Sequence, residues 1–204
     1  DERVEGFTSL LWVLVCSAFY SVSDHPEVLL MFFLLLLTTF TITIVYIEVK
    51  EDVDLLDSFY FKKYFFWLYS AFVACVAPSF IAWSVLSLME NGLWNFLFVS
   101  IVVLILQYDR NGFFLSKKIL LIVSGVLLVV TRPESLAWIV LFSLLLASIQ
   151  WKRKRSLAYP LLFFVVTAAT SLGLIFFRLK YFGYPFPNTY YAKVSDNLFY
   201  NFVN

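Results

Sequence analysis

Three stretches of this chain run twenty residues or more without a charge: 28–47, 64–89 and 156–177. About 20 apolar residues, wound as an α-helix, cross the ~30 Å hydrocarbon layer of a bilayer. No water reaches the backbone there, so a spanning segment must satisfy its own hydrogen bonds, and a helix does so. A β-barrel would need alternating segments of ~10 residues, and none is visible. The composition agrees. Of 204 residues, 62% are hydrophobic and 14% charged, a balance that a soluble domain of this size cannot bury. A soluble enzyme, a disordered tail and a disulfide-stapled module are therefore excluded. The reading is an all-α membrane protein, a polytopic transmembrane helical bundle.

Shorter uncharged runs fill the intervals. Segments 28–47, 64–87 and 157–177 are ample for a crossing, and 92–108 is adequate. Segment 119–131 is too short to cross alone, and 135–150 is borderline. Only Arg132-Pro133-Glu134 separates these two. They read as two helices whose turn is sunk below the membrane surface, with Pro133 disfavouring helical backbone at the residue before it. The count is about six spanning or half-spanning helices. Segment 8–23 either spans or lies in the interface. Its apolar core is short and ends in Ser17, Ser21 and Ser23, which leans toward an interfacial helix. One transmembrane domain then covers 1–204: an outer loop with that helix (1–27), the spans (28–177), and an outer Pro/Tyr-rich loop (178–204). The chain opens at Asp1 without Met and stops within an aromatic stretch, so we expect a piece of a longer protein.

Positive residues in short loops orient such a chain. Lys50, Lys62 and Lys63, then Arg110, Lys117 and Lys118, then Lys152, Arg153, Lys154 and Arg155 fall on one side. Arg132, Arg178, Lys180 and Lys193 fall on the other. The first side reads as cytoplasmic, and the turns at 88–92 and 132–134 and the tail then face outward. A net charge of +1 gives no field for nucleic acid. Cys16 and Cys75 have no second ligand at metal spacing, and His25 stands alone in a helix-connecting turn. Pro78 is expected to kink its helix.

Charge at membrane depth is costly and commonly functional. Arg132 and Glu134 flank Pro133, and read either as a pocket-lining pair for phosphate or hydroxyl groups or as a local ion pair between two helix ends. Glu90, beside the turn signal Asn91-Gly92, reads as a solvated turn acid in preference to a cavity carboxylate. The segment 178–193 carries two prolines and a glycine, which exclude a continuous helix. Its tyrosines, Asn188 and Lys193 suit a substrate-contacting loop or an interfacial belt equally. Glu2, Arg3 and Glu5 could do acid–base or phosphate work, although a solvated terminus is the plainer reading. The tract Lys152–Arg155 reads as a topology signal before a lipid site.

Four of these places, in order, resemble one family. Arg3-Val4-Glu5-Gly6-Phe7-Thr8-Ser9-Leu10-Leu11-Trp12 is similar to the R-x-E-G-Y-T-x-P-L-W signature of bacterial GT-C membrane glycosyltransferases, the group that includes terminal arabinofuranosyltransferases and related surface-glycan enzymes. Leu88-Met89-Glu90-Asn91-Gly92-Leu93 resembles their G-M-E-T-x-L turn, and Thr131-Arg132-Pro133-Glu134-Ser135 their T-R-P-E-G. Residues 178–193, with Tyr181-Phe182-Gly183-Tyr184-Pro185-Phe186-Pro187-Asn188-Thr189-Tyr190-Tyr191-Ala192-Lys193, are close to R-x-x-Y-Y-G-x-P-L-P-N-T-Y-Y-A-K. Departures fall at Leu10 for Pro, Ser87 or Leu88 for Gly, Asn91 for Thr and Ser135 for Gly.

The resemblance implies a GT-C-like bundle with 8–23 as an interfacial helix of the first outer loop. It implies a polyprenyl-phosphate-linked sugar donor, a glycan, lipid or protein acceptor, and a site on the outer face of the cytoplasmic membrane. The family's catalytic acids lie earlier in that loop, upstream of Asp1, so the base is expected outside this sequence and the piece inactive alone. Arg132, with Arg3, is then expected at the donor phosphate, since a guanidinium binds phosphate bidentately. Glu5, Glu90 and Glu134 are candidates for orienting hydroxyls or the arginine, and Asn188, Tyr190, Tyr191 and Lys193 for substrate contact. No cofactor is assigned; a divalent metal would fit the chemistry, but the acids make no ligand cluster. Two other classes remain. A transporter or flippase of a lipid-linked solute would share the buried charges but predicts half-repeats, which are not seen. A non-catalytic scaffold leaves Arg132 and the 187–191 segment without a role.

Overall fold

The computed structural model describes residues 9–54, 59–111 and 114–185. Among the described residues seven α-helices follow one another, and no strand occurs. They are α1 (Leu10–Tyr20), α2 (Pro26–Asp54), α3 (Phe59–Ile81), α4 (Asn91–Asn111), α5 (Leu115–Thr131), α6 (Ser135–Lys152) and α7 (Ala158–Phe182). A five-residue π turn, Ala82–Leu86, follows α3. Pro78 lies one turn before it, where a missing N–H loosens the helical ladder.

Helices α2, α4, α6 and α7 are long and apolar enough to cross a membrane. Their outward faces carry Phe32, Leu36, Phe40, Leu144, Leu161 and Leu172, all exposed. Such surfaces are unfavourable in water and at home against lipid tails. α1 has 11 residues, about 16 Å at 1.5 Å per residue, which is too short to cross alone. It starts with Ser9, whose Oγ accepts the Trp12 N–H at 3.3 Å, an N-cap in the usual sense. α5 begins at Leu115, earlier than the charge pattern suggests, and reaches 17 residues.

The chain forms two compact units, residues 14–124 and residues 9–13 with 125–185. In the first, α2 and α4 run parallel. At one end Gly92 lets the helices close up: a Cβ there would sit 2.9 Å from Leu34 Cδ2 and 2.8 Å from the Ser84 carbonyl oxygen. At the other end the Gln107 side chain donates to Glu48 at 3.1 Å. The end of α2 and the start of α4 are thus at opposite ends, and α3 with the π turn returns the chain between them. Tyr69 Oη on α3 donates to the Ile42 carbonyl of α2 at 2.7 Å. Along α2, Thr38, Thr39, Thr41 and Thr43 each donate to the carbonyl four residues back at 2.8 Å.

In the second unit α7 runs antiparallel to α6 and parallel to the C-terminal half of α5. A Cβ on Gly125 would meet the Phe163 ring at 2.7 Å and Thr167 Cγ2 at 3.0 Å. Phe163 and Thr167 are fully buried against that bare backbone. Positions 48–51 lie with 107–117, and the 132–134 turn lies with the end of α7, away from 152–156.

Candidate functional site

The turn between α5 and α6 is built from backbone groups. The Arg132 N–H still reaches back to the Leu128 carbonyl at 3.2 Å, and the Ser135 N–H returns to the Arg132 carbonyl at 3.1 Å. Thr131 is fully buried, with Oγ1 donating to the Leu127 carbonyl at 2.7 Å. Arg132 is half-buried, whereas Glu134 is exposed. Glu134 occupies the N-cap of α6 but makes no side-chain cap hydrogen bond. Its position still suits a negative charge, because the helix N-terminus carries the positive end of the dipole.

A small cavity of about 80 Å³ lies against this turn. Val129, Pro133 and Leu136 form one wall, and Ser171, Ile175 and Arg178 of α7 form the other. Positions 171, 175 and 178 fall on one helical face by the i, i+4, i+7 rule. Ser171 and Arg178 are buried, and Arg178 is 5% exposed. The arginine is therefore not a solvent-facing charge at the end of an apolar run. It points inward at the level of the Thr131–Ser135 turn. The sequence reading takes Arg178 as an outer charge at the start of a loop; the signal for its burial is its spacing from Ser171 on the inner face.

The segment beginning at Arg178 also departs from the expected loop. α7 continues through Lys180 and Tyr181 to Phe182, and Gly183, at φ 82°, ends it. The left-handed region costs glycine nothing. Helical continuity is what aims Arg178 into the cavity.

Glu90 lies in the other unit and corrects its reading as a solvated turn acid: it is buried, at 6% exposure. Asn91 and Gly92 are not the turn. They open α4, where the Trp94 N–H donates to the Glu90 carbonyl at 2.8 Å. The chain turns instead at Leu88, whose φ is 50°. The Asn-Gly pair is taken into the helix because Gly92 must pass the Ser84 carbonyl. Ser84 is also fully buried, and its Oγ has no hydrogen-bond partner among the described residues.

A third polar group joins the opposite end of this unit. Arg110 Nη2 stands 3.0 Å from Glu48 Oε1, a charge contact without hydrogen-bond geometry, while Nη1 donates to Glu51 Oε2 at 3.1 Å. Lys117 Nζ donates to Gln107 Oε1 at 2.8 Å. These groups bind helix to helix, so they read as structural. No cluster of three metal-ligating side chains occurs among the described residues. Of the expected site residues, Arg3 and Glu5 near the start, and Asn188, Tyr190, Tyr191 and Lys193 near the end, lie outside the described residues. Comparison with known protein families, with curated proteins and with solved structures finds no match for this chain.

Proposed function

We propose that this chain belongs to an integral-membrane glycosyltransferase of the GT-C kind, with α2–α7 as six spanning or half-spanning helices. In this reading it moves a sugar from a polyprenyl-phosphate donor to a glycan, lipid or protein acceptor on the outer face of the cytoplasmic membrane. One observation carries the reading: two segments that resemble separate family motifs, Thr131–Ser135 and the segment from Arg178, line a common cavity through Pro133 and Arg178. That meeting is expected if both motifs serve one site.

Arg132 and Arg178 supply guanidinium groups at the same end of one unit, where a departing lipid phosphate needs positive charge. A buried guanidinium in a water-poor setting stabilises developing negative charge far more than it would in water. Glu90, buried in its own unit, is a carboxylate suited to orienting a hydroxyl.

The test is transfer of labelled sugar from a pool of polyprenyl-phosphate sugars by the full-length protein in membranes. Arg132→Ala and Glu5→Gln are expected to abolish transfer at normal protein level. Unchanged activity in both returns these charges to structural roles. Absence of transfer in the wild type across donors and acceptors moves the assignment to a transporter of lipid-linked solutes.

A further inference from the structure

A second and larger concavity lies at the other end of α6 and α7, about 630 Å³ in volume. Val140, Leu144 and Ala147 of α6 face Leu157, Leu161 and Phe164 across it. Two serines also line it, and both are already engaged. Ser143 Oγ donates to the Ile139 carbonyl at 2.7 Å, and Ser156 Oγ accepts the Ala158 N–H at 3.2 Å. The groove thus offers a mainly apolar surface. From Val140 to Lys152 the helix rises about 18 Å at 1.5 Å per residue, close to the ~15 Å depth of one leaflet.

The groove ends at the turn that carries Lys152, Lys154 and Arg155, all exposed. This turn is fixed by two crossed backbone bonds. The Arg155 N–H reaches the Gln150 carbonyl at 2.9 Å, and the Lys154 N–H reaches the Trp151 carbonyl at 3.0 Å. That pattern is a Schellman helix end, and the residue it places in the left-handed region is usually glycine. Here it is Lys154, at φ 51°. A lysine held where glycine would be unstrained points to a use for its charge.

We propose that the α6–α7 groove with its basic turn is a binding site for an anionic phospholipid of the adjoining leaflet. The acyl chains lie along Leu144, Leu157 and Leu161, and the headgroup phosphate meets Lys152, Lys154 and Arg155. Charge complementarity and leaflet-length apolar walls together select this occupant. The inference does not depend on the glycosyltransferase reading.

The experiment measures retention of phosphatidylglycerol against phosphatidylcholine by the full chain purified in a neutral detergent, using native mass spectrometry. Wild type is expected to prefer phosphatidylglycerol about 100-fold, in keeping with ~1 kcal/mol for each of three basic residues near an anionic lipid. The combined variant K152Q, K154Q, R155Q should fall to parity, and Leu144→Trp should reduce retention of both lipids. On unaltered protein, salt near 1 M, where the Debye length is ~3 Å, should also erase the preference. Equal retention of the two lipids by wild type overturns the proposal, as does a preference that survives the triple variant. A lipid-free dimer that Leu144→Trp dissolves would show that a second copy fills the groove, and would overturn it as well.

Discussion

Glu48 on α2 and Arg110 on α4 meet at 3.0 Å across two parallel helices, and Glu48 is almost wholly buried. Parallel neighbours have no turn between them to fix their register. This ion pair, with Gln107 on the same carboxylate, does so at one end, and Gly92 against Leu34 does so at the other.

Removing the arginine would leave a buried carboxylate uncompensated. Arg110→Leu is expected to cost about 3 kcal/mol, the usual penalty for breaking a buried pair. Glu51→Gln, which alters the exposed half of the same fork, is expected to cost about 0.5 kcal/mol or less. Thermal unfolding in detergent separates the two. Similar losses for both would mean that the burial of Glu48 plays no part.

Arg178→Gln is expected to keep the protein folded and to lower sugar transfer about 100-fold, the scale seen when a preorganised donor is removed from a developing anion. Lys180→Gln, two residues away and exposed, should leave transfer intact. Equal effects would place Arg178 outside the site.

Gly92→Ala sets a new Cβ 2.8 Å from the Ser84 carbonyl oxygen, a backbone atom that cannot swing aside. The expected cost is about 1–3 kcal/mol of overpacking, set against about 1 kcal/mol of gained helix propensity. Gly125→Ala meets the Phe163 ring instead, and a side chain can adjust more cheaply. The melting temperature of Gly92→Ala should therefore be the lower. The reverse order would show that the α5–α7 contact is the stiffer.

Leu88 holds a left-handed backbone, at φ 50°. A non-glycine residue there carries roughly 1–2 kcal/mol of backbone strain. Asparagine tolerates the region and valine does not, so Leu88→Asn should unfold at a higher temperature than Leu88→Val. Equal stability of the two would remove backbone strain as the reason.

Burial pushes the Cys16 thiol up from its ordinary range, a shift that a backbone hydrogen bond only partly offsets. Folding disfavours the thiolate, so the group is neutral in its effect on stability below that range and destabilising as pH rises above it. Maleimide labelling of Cys16 in the folded protein should keep accelerating with pH after labelling of the unfolded chain has levelled. Coincident pH profiles would show an ordinary thiol.

The helices were legible because uncharged length is a strong signal. Their ends were not, because charge alone does not stop a helix. α2 runs on to Asp54 past Ile47, with Glu48 and Glu51 both held by Arg110. α5 starts early enough to include Lys117, which is held by Gln107. Glu90 was misread because Asn-Gly is a turn signal only where nothing crosses close by. Arg178 was misread because a charge after an apolar run looks like a boundary until the helix is seen to continue. Partners on other helices decided the helix ends, the close approach of the Ser84 carbonyl decided Glu90, and the run of α7 to Gly183 decided Arg178.

The four threonines of α2 have a consequence for how the helix enters the bilayer in the first place. Each hydroxyl is engaged by a carbonyl one turn earlier, so none has to be stripped of water on its own. To an insertion machinery that senses partitioning, this helix is greasier than its sequence spells out, and its hydroxyls travel into lipid already quenched by their own backbone.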